Sequence, residues 1–338
     1  MLSYSGNDST PATFMAGDIG ARLNFYMDCV GGGSSTEALI GIAIGVMEAG
    51  LCKTVAIFRA MNGFSQVRIG GTGARSAAPV NGDMLHSRAY GWQSAGQMFS
   101  PTFMRHMYTY GTKPEQVAMV KVVHSEHASN NPKAYYKKRY TVDDVLNSRM
   151  ICKPLHLLDC CLVTDGGGAV VMTSAENARA HGVKNPVHVR GYGEAHSHWS
   201  IGAMPDLARL TSAEMSGGTA LQMAGVKHED FDVVEVYDSF TITVLMTLEA
   251  LGFCKPGEGG RFVSGQRTAP GGEFPLNTNG GGLSYGHPGM YGIFLLIEAV
   301  RQLRGECGPR QVPDCELALV HGTGGTLSSG ATCILARS

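Results

Sequence analysis

A glycine-rich stretch in the last quarter of the chain holds a tyrosine and a histidine two positions apart. It runs from Asn277 to Gly292 and contains Tyr285 and His287, and an unbroken apolar run, Ile293–Val300, follows it. This pattern predicts a loop that enters a buried helix. Glycines allow close backbone approach, and a helix N-terminus favours negative charge. The stretch is therefore a candidate site for holding an oxyanion.

Two further apolar segments each lead into a polar aromatic side chain or a histidine. Tyr237 follows the apolar run Phe231–Val236, and His321 follows Glu316–Val320. A tyrosine that acts as a base at neutral pH needs its pKa lowered by about three units, whereas a tyrosine that donates a hydrogen bond needs no shift. Asp238 is expected to orient the turn or a neighbouring histidine.

The composition of the chain limits which classes of protein it can belong to. The chain has 338 residues, enough for two domains, and 43% hydrophobic against 16% charged residues predicts a large core and a lean surface typical of an oligomer. A net charge of −1 lacks the positive excess that is typical of a nucleic-acid-binding protein. The nine cysteines form no CxxC motif or zinc-like spacing, which predicts reduced thiols, no metal and a cytoplasmic location. Neither a signal peptide nor an apolar run of about 18 residues is visible, so no membrane span is expected.

The two halves of the chain share one pattern. A glycine-rich turn, Gly31–Gly33, precedes an apolar helix (Glu37–Gly50) and a buried strand (Thr54–Arg59), and Gly280–Gly282 similarly precedes the helix that begins near Ile293. This repetition predicts two similar α/β halves packed together. We place them at residues 1–185 and 186–338.

The long segment of about residues 62–163 is predicted to be a loop domain with a functional role. It includes the Gly/Arg/Ser-rich run Arg68–Ala78. His124 and His127 are assigned to a polar surface loop, with lining of a CoA channel as the alternative. Residues 1–23 are polar and contain glycine and proline, which does not favour a first strand.

The remaining elements follow from apolar runs and turn signals. Ser34 or Ser35 is expected to cap the first helix, with Glu37 near the capping-box position. Other predicted strands are Asn24–Asp28, Ala169–Thr173, Val187–Gly191 and Ala331–Ala336, and other predicted helices are near Tyr90–Tyr110 and at Ala175–His181, Thr211–Ala224 and Thr241–Leu251.

Five motifs, in this order, resemble the thiolase superfamily over nearly the whole chain. They are Gly32-Gly33-Ser34-Ser35-Thr36, Asp165-Gly166-Gly167-Gly168, Tyr237-Asp238-Ser239-Phe240, Asn277-x-Asn-Gly-Gly-Gly…Gly286-His287-Pro288 and His321-Gly322-x-Gly324-Gly325. The resemblance implies an α/β thiolase fold, two related βαβαβ-type halves in five layers, α-β-α-β-α. Thiolases have several dozen more residues before the first turn, so the N-terminal half is expected to be incomplete.

The resemblance also shows where the chemistry departs from thiolases. The nucleophilic cysteine of that superfamily falls on Gly32, its acid/base cysteine on His321, and the asparagine of its third motif on Tyr237. Only His287 is retained. Without a thiolate there is no acyl-enzyme. The pattern resembles the steroid side-chain-cleaving aldolases of the sterol-carrier and lipid-transfer type.

That group implies retro-aldol cleavage of a β-hydroxyacyl-CoA, such as a 17-hydroxy steroid side chain, to a ketone and propionyl-CoA. It also implies a homodimer and a partner protein with an OB fold and a zinc ribbon, with CoA present as part of the substrate and no tightly bound cofactor. His287, with a backbone N–H, is expected to meet the thioester oxygen, while Tyr237 and Tyr285 handle protons. The implied catalytic residues are Tyr237, Tyr285, His287 and His321, and the implied CoA-binding residues are Gly32, Ser34, Gly322 and Gly324.

Two alternatives stay open at this point. A thiolase-type acyltransferase would use Cys29, three residues before Gly32, as a displaced nucleophile, although such a cysteine is more commonly a small buried side chain. A non-catalytic subunit that binds acyl-CoA or lipid would need no nucleophile.

Overall fold

The computed structural model describes residues 2–4, 10–29, 32–66, 87, 89–92 and 94–337. The strands are β1 (Leu2–Tyr4), β2 (Met27–Cys29), β3 (Thr54–Asn62), β4 (Met150–Cys152), β5 (Leu155–His156), β6 (Asp165–Thr173), β7 (His188–His196), β8 (Val233–Val236), β9 (Leu317–Gly324) and β10 (Ser329–Ala336). The helices are α1 (Ala12–Asp18), α2 (Ser35–Glu48), α3 (Ala95–Tyr110), α4 (Pro114–Ser129), α5 (Val142–Leu146), α6 (Ala175–Ala180), α7 (Thr211–Ala224), α8 (Thr241–Ala250), α9 (Gly259–Phe262) and α10 (Gly292–Leu303).

Two four-stranded mixed sheets form the framework. The N-terminal sheet has the order β2-β1-β3-β6, in which β1 is parallel to β2 and β3, and β6 is antiparallel to β3. The C-terminal sheet has the order β7-β10-β9-β8, in which β8 and β9 are parallel and the other pairs are antiparallel. Each sheet therefore combines parallel and antiparallel pairing.

Helices α2 and α10 form a middle layer between the sheets. They contact each other, and α2 also lies against β3 and β10 while α10 lies against β6 and β9. A helix that is apolar on several sides is stable only when it is buried on several sides, which explains why both helices come from unbroken apolar runs. We call the face of the C-terminal sheet toward this layer its inner face. Helix α7 covers the outer face.

Much of this framework was predicted from the sequence. Helix α7 has the predicted bounds, and α8, α10 and β3 agree with their predictions to within a few residues. The exclusion of a strand from residues 1–23 is wrong, because Leu2–Tyr4 is hydrogen-bonded between β2 and β3. The run Asp165–Gly168 lies inside β6 rather than before it, because it pairs with the end of β3.

The predicted loop domain contains two long helices. Helix α3 confirms the predicted aromatic-rich helix, but α4 replaces the predicted surface loop at His124 and His127, whose side chains are buried. Helix α4 packs against α8 and against the turn Gly281–Tyr285. The run Arg68–Ala78 lies outside the described residues. No helix in the described part of the chain is long and apolar enough to cross a membrane.

Candidate active site

Tyr237 and His287 form a buried hydrogen-bonded pair. Tyr237 directly follows β8 on the inner face, and its hydroxyl oxygen lies 2.9 Å from Nε2 of His287. The backbone N–H of Tyr291 donates to the same hydroxyl oxygen over 3.0 Å. The two rings of the pair stand nearly perpendicular, at 86°. Both hydrogen-bonding directions of the Tyr237 hydroxyl are thus fixed.

Burial decides the protonation of this pair. It lowers the pKa of His287 to about 4, so the imidazole is neutral at pH 7. In the tautomer that carries its proton on Nδ1, Nε2 accepts a hydrogen bond from the Tyr237 hydroxyl. Burial also raises the pKa of Tyr237 well above the usual value, although the Tyr291 N–H opposes that shift. Tyr237 is therefore a neutral donor at rest. The lowered pKa that a tyrosinate base would need is not provided.

Asp238 holds the glycine-rich turn that leads to His287. Its carboxylate accepts hydrogen bonds from the N–H groups of Gly282 (2.7 Å) and Leu283 (3.0 Å) and from Nδ1 of His124 (2.9 Å). The turn itself is one turn of π-helix, Gly281–Tyr285. The prediction that Asp238 orients the turn or a histidine is confirmed, since it does both.

Lys121 supports the same turn from helix α4. Its ammonium group donates to the carbonyl of Leu283 and to Oγ of Ser284 (3.1 Å), and it lies 5.0 Å from the ring centre of Tyr140. Burial lowers the pKa of Lys121 to about 8. Sequence reasoning missed this residue because nothing in the polar pattern of α4 distinguishes a buried lysine from a surface one.

The predicted CoA-binding residues come together at one point. The turn before α2 packs against the end of β9, where a Cβ on Gly322 would lie 2.9 Å from Cα of Ser34. Ser34 does occupy the N-cap position, but its side chain makes no capping hydrogen bond and its Oγ lies 2.9 Å from Oγ of Ser329 instead. Gly31 lies outside the described residues.

Among the described residues, the side chains of two predicted catalytic residues make no hydrogen bond to the side chains of the Tyr237–His287 pair. His321 is inside β9 and faces outward, where its Nδ1 lies 2.8 Å from Oγ1 of Thr332, and burial lowers its pKa to about 3. Tyr285 is half-buried and packs edge-on against Phe294 with ring centres 5.9 Å apart. Alternation along a strand puts His321 on the opposite side of the sheet from Tyr237.

Comparisons with known proteins agree with this architecture. Residues 193–337 match the family described as "Thiolase C-terminal domain-like". The chain is 34% identical over 318 residues, 91% of this chain and 81% of the relative, to "17-hydroxy-3-oxo-4-pregnene-20-carboxyl-CoA lyase" of Mycobacterium tuberculosis. The chain belongs to the thiolase superfamily.

A second relative and a solved structure are also similar to this chain. "Acetyl-CoA acetyltransferase" of Methanothermobacter thermautotrophicus is 41% identical over 69% of this chain, and the match spans only 61% of that relative's length. The solved structure "Ltp2-ChsH2(DUF35) aldolase" superimposes with a TM-score of 0.86 at 29% identity and covers 99% of this chain and 86% of that chain.

The position that the resemblance gives to the thiolase nucleophile has no room for a side chain. Gly32 has a φ of +92°, and a Cβ there would lie 2.2 Å from the backbone nitrogen of Gly325. Any cysteine at Gly32 would force the two loops apart. Cys29 lies on β2, and burial raises the pKa of its thiol, which opposes a reactive thiolate.

Sequence reasoning also missed Tyr291 and Glu37. Tyr291 stacks on His287 at an interplanar angle of 14° and is fully buried. The only signal for Tyr291 in the sequence is that it is the third aromatic residue of the glycine-rich stretch, after Tyr285 and His287. Glu37 was read as a capping residue, yet its carboxyl group is fully buried beside the site.

Proposed function

We propose that this protein is a carbon–carbon lyase that cleaves a β-hydroxyacyl-CoA thioester by a retro-aldol reaction. The observation that carries the proposal is that Gly32, packed against Gly325, occupies the position of the nucleophile, beside the hydrogen-bonded Tyr237–His287 pair. Acyl transfer needs a thiolate at that turn, whereas a retro-aldol reaction needs proton transfer and a place for negative charge.

The pair supports a proton relay. The substrate's β-hydroxyl passes its proton to the oxygen of Tyr237 while Tyr237 passes its own proton to Nε2 of His287. The O–H electrons form the carbonyl of the ketone, and the Cα–Cβ electrons form the thioester enolate. The relay then reverses and Tyr237 protonates the α-carbon, so no net proton is gained or lost. The low pKa of His287 favours this return.

The enolate charge is proposed to be stabilised by the N-termini of α2 and α10, which meet where a Cβ on Gly292 would lie 2.3 Å from Oγ1 of Thr36. In the relay tautomer the role expected for His287 changes, because Nε2 then accepts a hydrogen bond from Tyr237 and has no proton to offer an oxyanion. Gly32, Ser34, Gly322 and Gly324 are proposed to bind the CoA thioester. Tyr285 and His321 would act from outside the pair.

The names of the relatives support a bulky, steroid-like acyl group. We therefore propose a 17-hydroxy steroid side chain as substrate, with a 17-ketone and propionyl-CoA as products. The aldolase of similar structure bears a two-part name, which supports a partner subunit, here proposed to contain an OB fold and a zinc ribbon. A homodimer and a cytoplasmic location complete the proposal.

A product assay tests the function. The protein, with and without a co-expressed partner, receives either the 17-hydroxy steroid β-hydroxyacyl-CoA or a 3-ketoacyl-CoA plus free CoA. We expect propionyl-CoA and the 17-ketone from the first substrate, and the same activity in Cys29→Ala. Thiolysis of the second substrate that disappears in Cys29→Ala would establish an acyltransferase instead. Binding of both substrates without turnover would indicate a non-catalytic subunit that binds acyl-CoA or lipid.

A further inference from the structure

Glu37 is a buried carboxyl group with few hydrogen bonds that could stabilise a negative charge. It lies in the first turn of α2, and its side chain is inaccessible to solvent. Its Oε2 accepts a hydrogen bond from Oγ1 of Thr36 over 2.9 Å, and this bond and an interaction with the backbone of Glu37 lower its pKa by less than burial raises it. Its Oε1 has no hydrogen-bond partner within the part of the chain that the structure describes. An ionised carboxylate in such surroundings would be strongly destabilised, so the uncharged acid is the resting form.

The position of this group is defined by two glycines. A Cβ on Gly292, the first residue of α10, or on Gly322 in β9 would lie 2.3 Å from Oε2 of Glu37. The residue before Gly292 is Tyr291, whose N–H donates to the Tyr237 hydroxyl. The Glu37 carboxyl group therefore lies against the first residue of α10, and the residue before it, Tyr291, donates to the hydroxyl of the proposed relay.

The titratable groups around Glu37 do not compensate a negative charge. The charge of Glu37 contributes to the raised pKa values of Tyr237 after β8, Tyr192 on β7 and Cys333 on β10, which are all neutral acids. The positive charge of Arg59 on β3 contributes to the lowered pKa of His287. Burial raises the pKa of Glu37 itself to about 8.

We propose that Glu37 is a positioning residue that must be uncharged for the site to work. When ionised, it would put a negative charge at the start of α10 and beside Tyr237, where the reaction builds up the negative charge of the enolate. Like charges in a poorly screened interior repel strongly. The inference rests on the proposed function, and it assigns the alkaline limit of activity to one carboxyl group.

The first experiment measures kcat and KM against pH with the steroid thioester. The wild type is expected to lose about tenfold in kcat per pH unit above about pH 8, with little change in KM, because one group ionises. Glu37→Gln keeps a neutral group of the same shape and should remove this loss. Thr36→Val deletes a hydrogen bond that lowers the pKa of Glu37 and should move the loss to higher pH. Glu48→Gln, at an exposed position of the same helix, should behave as the wild type.

Lys121 is the rival for this pH dependence, since its pKa is also about 8. If the loss persists in Glu37→Gln and disappears in Lys121→Met, the proposal is wrong. If Thr36→Val leaves the midpoint unchanged while Glu37→Gln is inactive at every pH, Glu37 is merely structural and the proposal is also wrong.

An infrared titration separates this inference from the proposed function. The infrared difference between the wild type and Glu37→Gln should contain the carbonyl stretch of a protonated, buried carboxylic acid that disappears with a midpoint near pH 8. Glu235, another buried acid with a raised pKa, is present in both proteins and cancels in this difference. If the steroid thioester is not cleaved at all, propionyl-CoA affinity replaces kcat as the readout, and it should fall above that midpoint only in the wild type. A difference without the band of the protonated acid, or a wild type with pH-independent affinity, overturns the inference.

Discussion

At the scale of single residues, Tyr237 gives the most specific prediction, because in the proposed relay its hydroxyl donates a hydrogen bond to His287 and accepts one from the Tyr291 N–H. Tyr237→Phe keeps the ring and removes the proton donor to His287, so we expect kcat to fall by about 10²–10⁴-fold. The Tyr291 N–H loses its acceptor, which should destabilise the fold by about 1–3 kcal/mol. Product formation and thermal unfolding measure the two effects separately.

Tyr285→Phe is the matched control for this change. The Tyr285 hydroxyl makes no hydrogen bond to another described residue, and its ring packs on Phe294. We therefore expect a much smaller loss of kcat and no measurable loss of stability. An equal loss of kcat in both variants would return Tyr285 to the proton path, as first predicted from the sequence.

Glu37 also makes a prediction about stability. Its pKa is about 8 in the folded protein and near 4.5 when exposed, so the folded state holds a proton that the unfolded state has lost between these values. The carboxyl group's contribution is fully present below about pH 4.5 and is lost as the pH rises toward 8. Relative to Glu37→Gln, the wild type should lose up to about 1.4 kcal/mol of unfolding free energy per pH unit in this interval. Denaturant unfolding at several pH values measures the difference. If the unfolding free energies of the wild type and Glu37→Gln change with pH in the same way, Glu37 is not a buried acid with a raised pKa.

At the scale of elements, the turn Gly281–Tyr285 positions His287 and depends on Asp238. Gly281 has a φ of +64°, and a Cβ there would lie 2.0 Å from Oδ2 of Asp238. Gly281→Ala should therefore disrupt the Asp238 hydrogen bonds, lower stability by about 2–4 kcal/mol and reduce kcat. Unfolding midpoints and product assays test this.

Gly265→Ala separates the backbone effect from the contact effect. Gly265 has a similar φ of +69°, but no atom lies within 4 Å of its ideal Cβ. Its replacement should cost only about 1–2 kcal/mol and leave kcat unchanged. Equal destabilisation in the two variants would mean that the Asp238 contact does not hold the turn.

The same elements show what a single sequence can predict. Thr211–Ala224 was found with its bounds because its apolar residues recur with helical spacing and turn residues bound it. Helix α4 was missed because Lys121, His124 and His127 are polar yet buried, and their partners come from segments more than 100 residues away. The outward direction of His321 depends on how far β9 continues along β10, which a motif cannot reveal.

At the scale of the whole molecule, the site exists only because two sheets share one middle layer. The glycine turn before α2 comes from the N-terminal half, whereas Tyr237, His287 and the end of β9 come from the C-terminal half. Helices α2 and α10 pack side by side between the sheets, and the start of α10 at Gly292 lies against Glu37 in the first turn of α2. The internal repeat seen in the sequence therefore also accounts for the two helix N-termini that meet at Glu37.

The N-terminal sheet offers a surface for the proposed homodimer. Strand β6 is at the end of the order β2-β1-β3-β6, and Val171 on its outward face is 70% exposed. An edge strand readily pairs with a second copy, and across a two-fold axis each copy presents the same residues. Val171→Asp would place like charges near each other and should weaken dimerisation by about tenfold or more. Sedimentation velocity over a range of concentrations measures this, with Val183→Asp, exposed after α6, as the control that should stay dimeric. A wild type that is monomeric, or a Val171→Asp variant that dimerises normally, would show that β6 is not the interface.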